Sequence, residues 1–178
     1  MKKGETRKIH TTVFSVLFAV ILIAADQWTK HLAVLHLKGA EPRILIDGML
    51  EFRYLENRGA AFSMLEGKQV FFYVLTAVFL AIAIYVLARL PHTRRYLPVR
   101  ICLLVLVAGA VGNLIDRIVQ KYVVDFIYFS IIDFPVFNVA DMYVTLSVTV
   151  LALLILFRYK DSDFAFLKRQ NKGENEEE

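Results

Sequence analysis

Apolar residues run along this chain in four long blocks, separated by shorter stretches where charge, glycine and proline collect. Crossing the hydrocarbon core of a bilayer takes about 20 apolar residues, each rising ~1.5 Å along a helix. The blocks meet that length and predict four transmembrane helices, over approximately 12–36, 69–89, 101–118 and 139–158. The first block follows the basic tail MKKGETRK, and Thr11 to Ala25 has the form of a signal-peptide core with Ala24 and Ala25 near its end. The helical pattern continues through Asp26 to Leu37, so the block is read as an uncleaved span.

Residues 41–67 form the one sizeable polar region. Within it Asp47-Gly48 is a turn signal, and Leu50, Phe52 and Tyr54 alternate with Glu51 and Arg53, which predicts a small hairpin at the membrane surface. The hairpin ends in Asn57-Arg58-Gly59-Ala60-Ala61-Phe62, where small residues let backbone approach another chain or a ligand. Composition alone would read the same residues as an ordinary connecting loop. Tyr122 to Phe137, rich in aromatic and β-branched residues, is expected to lie along the interface. In the third block Ala108 and Gly112 have small-xxx-small spacing, read as helix packing. The whole chain, 1–178, is expected to be one integral-membrane domain with tails at 1–10 and 159–178, the terminal KGENEEE being charged and disordered.

Composition strengthens the membrane reading and removes one alternative. Hydrophobic residues make up 57% of the chain, against ~45–50% in soluble domains, so the class is a mainly α membrane protein. The net charge of +4 would suit a nucleic-acid binder, but Lys and Arg cluster at the ends of apolar runs rather than in one patch. That placement points to membrane lipids as partners and not to nucleic acid. Four Lys or Arg precede the first span, four lie between Arg89 and Arg100, and five follow from Arg158, against eight in the longer segments on the other side. By the positive-inside rule both termini are cytoplasmic. Asp26, Asp116 and Asp141 then fall toward the outer side, with Asp125 between the last two. Cys102, the only cysteine, excludes an intrachain disulfide and a cysteine-built metal site.

The chemistry concentrates between Gly112 and Asp141, where Asn113, Asp116, Arg117, Asp125, Asn138 and Asp141 stand between two apolar runs. A charge near the bilayer centre costs at least ~2.5 kcal/mol on insertion scales, so ionisable residues there point to function. Asp26 and Lys30, four apart, share a helix face and can pair. Asn138 suits the N-cap of the fourth helix, with Asp141 three residues on as its capping-box partner. Arg117 adjoins Asp116 and suggests an ion pair at the end of the third helix. Asp125 is flanked by Val123, Val124, Phe126 and Ile127 with no cation adjacent, and desolvation there raises a carboxyl pKa. Two carboxylates in unlike environments suit an aspartic peptidase, in which one takes a proton from water while the other, protonated, hydrogen-bonds the scissile carbonyl. Spacing leaves open whether Asp116 or Asp125 partners Asp141. The histidines, His10, His31, His36 and His92, are scattered without an HExxH pattern, and no metal or other cofactor is expected.

Five blocks in order carry a family resemblance: Asp26-Gln27-Trp28-Thr29-Lys30, Asn57 to Phe62, Gly112-Asn113-Leu114-Ile115-Asp116-Arg117, Val123-Val124-Asp125-Phe126 and Phe137-Asn138-Val139-Ala140-Asp141. Across four predicted spans they closely resemble the motifs of bacterial lipoprotein signal peptidase, the type II signal peptidase. The resemblance implies four helices with a small β-sheet cradle and a short amphipathic helix on the outer, periplasmic face. It implies an aspartic endopeptidase of the bacterial cytoplasmic (inner) membrane, its active site near the outer leaflet, cutting prolipoproteins just before a diacylglyceryl-modified cysteine. It places the catalytic dyad on Asp125 and Asp141. Asn57, Gly59, Asn113, Asp116, Arg117 and Asn138 are given supporting or substrate-binding roles, with Asp26 and Lys30 among the positions that hold the site together. The protein is expected to act as a monomer on diacylglyceryl-modified prolipoproteins.

Two other classes compete. A proton-coupled transporter or channel subunit predicts acids spread through the depth of the spans, whereas these gather toward one face. A structural protein using polar residues as helix glue predicts that Asp125→Asn and Asp141→Asn change stability rather than a reaction.

Overall fold

The computed structural model describes residues 3–59 and 69–167, in the order α1 (Lys3–Leu37), β1 (Arg43–Ile46), β2 (Leu50–Asn57), α2 (Gln69–Arg89), α3 (Leu97–Gln120), β3 (Val123–Phe129) and α4 (Val139–Phe157). All four helices are long and apolar enough to cross a membrane. Their outward surfaces are apolar, with Phe14, Val70, Leu156 and Phe157 all more than 70% exposed, as suits helices facing lipid.

Burial follows helical geometry. On α1 the buried residues are Asp26, Lys30, Ala33 and Leu37, a single stripe at spacings of four, three and four. α3 is the central helix, buried along most of its length from Val99 to Asp116 and packed against α1, α2 and α4. It starts at Leu97 with Pro98 in its first turn, where the missing N–H costs nothing. Small residues admit its neighbours: a side chain at Gly109 would collide with the Ala140 carbonyl oxygen on α4, and one at Gly112 with the Asp26 carboxylate on α1. Gly112 thus serves more than helix packing, since it makes room for a charged group.

One end of the bundle is closed by an antiparallel sheet of order β1-β2-β3. The β1–β2 hairpin turns at Asp47-Gly48, with Gly48 at φ +66°, a conformation glycine adopts without strain. β3 is buried from Val123 to Phe126. Val124 and Phe126 pack on Ala33 and Leu37 of α1, together with Phe52 and Tyr54 of β2. Alternation along the strand turns Asp125 to the other face. The segment from Tyr122 to Phe137, expected to lie along the interface, is therefore mainly a third strand and its return. After β3 the chain passes through a 3-10 turn at Ser130–Ile132 and a left-handed Asp133, then Phe137 exchanges backbone hydrogen bonds with Ile127 at 2.8 and 3.0 Å. This return brings Asn138 beside Asp125.

At the opposite end, Leu90, Val99, Leu103, Leu106 and Tyr159 form a second cluster. The segment after α4 does not trail away but winds into a 3-10 helix, Asp161–Leu167. Arg95 donates from Nε and Nη2 to the two Asp163 carboxylate oxygens at 2.7 and 2.6 Å, and Tyr96 stacks on Tyr159 at 5.9 Å. The terminal KGENEEE, and Ala60 to Phe62 of the second motif block, lie outside the described residues.

Candidate active site

Where the sheet meets α3 and α4, a cavity of about 910 Å³ opens, with Asn57, Gly59, Arg117, Asp125 and Asp141 among its polar lining. Its other walls are apolar and come from all three strands, the return segment through Phe137, and Met142 and Leu146 one turn along α4. Asp26 and Asp116 do not line it.

Three asparagines hold the two cavity carboxylates. Asp125 is 1% exposed; its Oδ2 accepts from Asn57 Nδ2 at 2.8 Å and its Oδ1 from Asn138 Nδ2 at 2.6 Å. Antiparallel register sets Asn57 opposite Val123, on the same face as Asp125 two residues on. Asp141 is locked by the capping box at the start of α4: its Oδ2 accepts from the Asn138 backbone N–H at 3.1 Å, while Asn138 Oδ1 accepts from the Asp141 backbone N–H at 3.0 Å. Its Oδ1 accepts from Asn113 Nδ2 at 2.8 Å. Asn138 therefore touches both acids. Burial, and after it the charge of Asp141, push the Asp125 carboxyl up to about 7, against the opposing effect of the Asn57 and Asn138 amides.

Behind the asparagines lies a buried ionic layer. Lys30 Nζ is 3.0 Å from Asp26 Oδ2 and 3.1 Å from Asp116 Oδ2, and donates to Asn113 Oδ1 at 2.9 Å. An ammonium offers donors only, so Asn113 must present its oxygen to Lys30 and its NH₂ to Asp141. Each carboxylate also ties down backbone: Asp26 Oδ1 accepts from the Ala140 N–H at 2.9 Å, and Asp116 Oδ2 from the Val124 N–H at 3.1 Å. One layer thus joins α1, α3, β3 and the start of α4.

The expected Asp26–Lys30 pair is present. The expected Asp116–Arg117 pair is not: the cation on Asp116 is Lys30, because adjacent residues on a helix point in different directions. Arg117 instead donates to the Gly59 carbonyl at 3.3 Å, with its guanidinium 4.7 Å over the Phe72 ring. Gly59 in turn donates its N–H to Asn57 Oδ1 at 3.0 Å, which places all the named site residues in one connected region. Sequence reasoning passed over Gln27, whose Nε2 lies within hydrogen-bond distance of Asp116 Oδ1, the Gly112 carbonyl and Asp26 Oδ2 at 3.0, 3.1 and 3.2 Å. Its position as a polar neighbour of Asp26 inside an apolar run was the available signal. Met142, Thr145 and Leu146 are also on the cavity wall; Thr145 follows Asp141 by four positions, and Thr145 and Leu146 follow Met142 by three and four, the spacing of one helix face.

Four spanning helices capped by a small sheet, with two asparagine-held carboxylates opening on an apolar cleft, define a multi-pass membrane protein with a polar site at one end. Comparison with known proteins gives the family. A family model described as signal peptidase (SPase) II matches residues 18–157. The lipoprotein signal peptidase of Streptococcus pyogenes serotype M5 (strain Manfredo) is 40% identical over 149 residues, covering 84% of this chain and 95% of that protein. The lipoprotein signal peptidase of serotype M3 (strain SSI-1) is 39% identical over the same length and coverage. A bacterial membrane enzyme solved by the in meso method at 2.3 Å superposes with TM-score 0.71 and 30% identity, covering 89% of this chain and 93% of that one. A second, solved at 1.9 Å, superposes with TM-score 0.69 and 32% identity over 82% and 94%. The chain belongs to the signal peptidase II family and is a membrane peptidase.

Proposed function

We propose that this peptidase removes signal peptides from prolipoproteins, cleaving just before a diacylglyceryl-modified cysteine, with Asp125 and Asp141 as its catalytic dyad. The observation that carries the reading is that these two carboxylates alone, of the four in the polar layer, line the cavity. Asp125, buried and pushed up to about 7, is suited to hold a proton near neutral pH. Asp141, at the third position of α4, sits where a helix N-terminus favours negative charge. Asp141 takes a proton from water as its oxygen attacks the scissile carbonyl carbon, while Asp125 donates a proton to the carbonyl oxygen. Collapse of the tetrahedral intermediate breaks the C–N bond, and a carboxyl proton passes to the leaving amine.

Arg117 lies on the same cavity wall and, with five N–H donors in a fixed fork, suits the carbonyls of an extended substrate backbone. The apolar walls suit the lipidated end. A diacylglyceryl group anchors the substrate with ~0.8 kcal/mol per buried methylene, holding the scissile bond at headgroup depth, where helix-end carboxylates can reach it. The distribution of Lys and Arg supports a sheet end on the outer side and both termini in the cytoplasm. The test is cleavage by purified protein of one prolipoprotein offered with and without its diacylglyceryl group. Cleavage of the lipidated form only is expected; equal cleavage of both, or of neither by folded protein, contradicts the reading.

A further inference from the structure

The end of the bundle away from the sheet holds a second, small cavity of about 120 Å³, lined by Thr11 of α1, His92, Thr93 and Arg94 of the α2–α3 connection, and Leu97 and Arg100 of α3. Arg100 is the unusual member. It is only 7% exposed, yet no carboxylate lies within ion-pair distance of it among the described residues. Among the described residues it donates to the Leu90 carbonyl just past the end of α2, from Nη2 at 2.9 Å. That bond caps a helix and uses one of five N–H donors. A buried guanidinium without an anion is costly, and intramembrane cations are ordinarily paired. Asp163, an acid at this end of the bundle, is taken by Arg95.

We infer that this cavity, with Arg94, Arg100, Thr11 and Thr93 among its lining residues, binds the phosphate of an anionic lipid headgroup. The small volume suits a compact phosphate rather than a peptide or an acyl chain. Arginine suits phosphate because its planar fork gives parallel charge-assisted hydrogen bonds. Basic pockets between spanning helices at headgroup depth are where such lipids bind. The cavity lies at the bundle end opposite the sheet, so the inference stands apart from the proposed reaction.

The test titrates purified protein in detergent with phosphatidylglycerol, phosphatidylcholine and inorganic phosphate, counting bound lipid by native mass spectrometry and following the unfolding temperature. Wild type is expected to retain one phosphatidylglycerol in preference to phosphatidylcholine. Arg94→Gln and Arg100→Gln each weaken retention about fivefold or more, while Arg53→Gln at the sheet end leaves it unchanged. Stabilisation by phosphatidylglycerol alone supports the lipid as source; stabilisation by inorganic phosphate as well, lost in Arg94→Gln, supports the same phosphate chemistry with the free ion as source. Should Arg100→Gln fail to fold, the exposed Arg94 carries the comparison. Equal retention of the two lipids with no effect of phosphate, or phosphatidylglycerol retention unchanged in Arg94→Gln, overturns the inference.

Discussion

Replacing Lys30 with methionine keeps the length of the side chain and removes its charge. In the folded protein Lys30 Nζ lies 3.0 Å from Asp26 and 3.1 Å from Asp116, with the side chains of all three at most 5% exposed. Among the described residues it is the only cation within ion-pair distance of either carboxylate. Breaking a buried pair by removing one partner costs about 3–5 kcal/mol, because the remaining charge is left without compensation. Two carboxylates are stranded here, so the upper part of that range is expected, a large share of the ~5–15 kcal/mol that holds a typical domain together. Unfolding of Lys30→Met in mixed micelles, followed by circular dichroism, measures the loss. If stranded charge is the cause, adding Asp26→Asn and Asp116→Asn to Lys30→Met recovers most of it. A Lys30→Met protein within ~1 kcal/mol of wild type, or a triple variant no more stable than the single one, would refute this reasoning.

The pH dependence follows from Asp125, pushed up to about 7 from an ordinary 3.8. Between those values the folded form holds a proton that the unfolded chain has released, so stability falls as pH rises through the window, by up to about 1.4 kcal/mol per pH unit. Asp125→Asn is expected to flatten that slope in equilibrium unfolding, and Asp141→Asn, which removes the second cause of the shift, to move it to lower pH. Asn57→Ala removes the 2.8 Å hydrogen bond to Asp125; as Asp125 gives up its proton in the transition state this becomes a bond to a charged group, which contributes about 1.5–3 kcal/mol, so kcat/KM should drop roughly 10- to 100-fold in a steady-state cleavage assay while the fold persists. Gly112→Ala forces a methyl against the Asp26 carboxylate and is expected to cost about 1–3 kcal/mol in the same unfolding assay.

The four spans could be read directly, because a lipid-facing helix needs an unbroken apolar run and little else in the chain supplies one. The hairpin was legible for a different reason: Asp47-Gly48 marks a turn, and Phe52 and Tyr54 of β2 are half-buried, so polar and apolar residues alternate. β3 hides the same signal. Val123, Val124, Asp125 and Phe126 are all buried, which erases the period-two pattern a half-exposed strand shows. The partner of Asp116 was also illegible, since Arg117 is its neighbour in sequence while Lys30, 86 residues earlier, is its neighbour in space. The capping box at Asn138 and Asp141 is local and was visible. What spacing could not supply is the second use of Asn138, whose amide reaches Asp125 only because the chain doubles back after β3. Likewise Asp161–Leu167 reads as part of the C-terminal tail until Arg95 and Tyr96 are found beside it.

The most direct test of the proposed dyad compares Asp125→Asn, Asp141→Asn and Asp116→Asn for cleavage of a lipidated prolipoprotein, each variant first shown to be folded by circular dichroism. Asp125 and Asp141 line the cavity and Asp116 lies in the layer behind it. The account predicts no measurable cleavage by the first two and residual cleavage by a less stable Asp116→Asn. An inactive Asp116→Asn beside an active Asp125→Asn would contradict it.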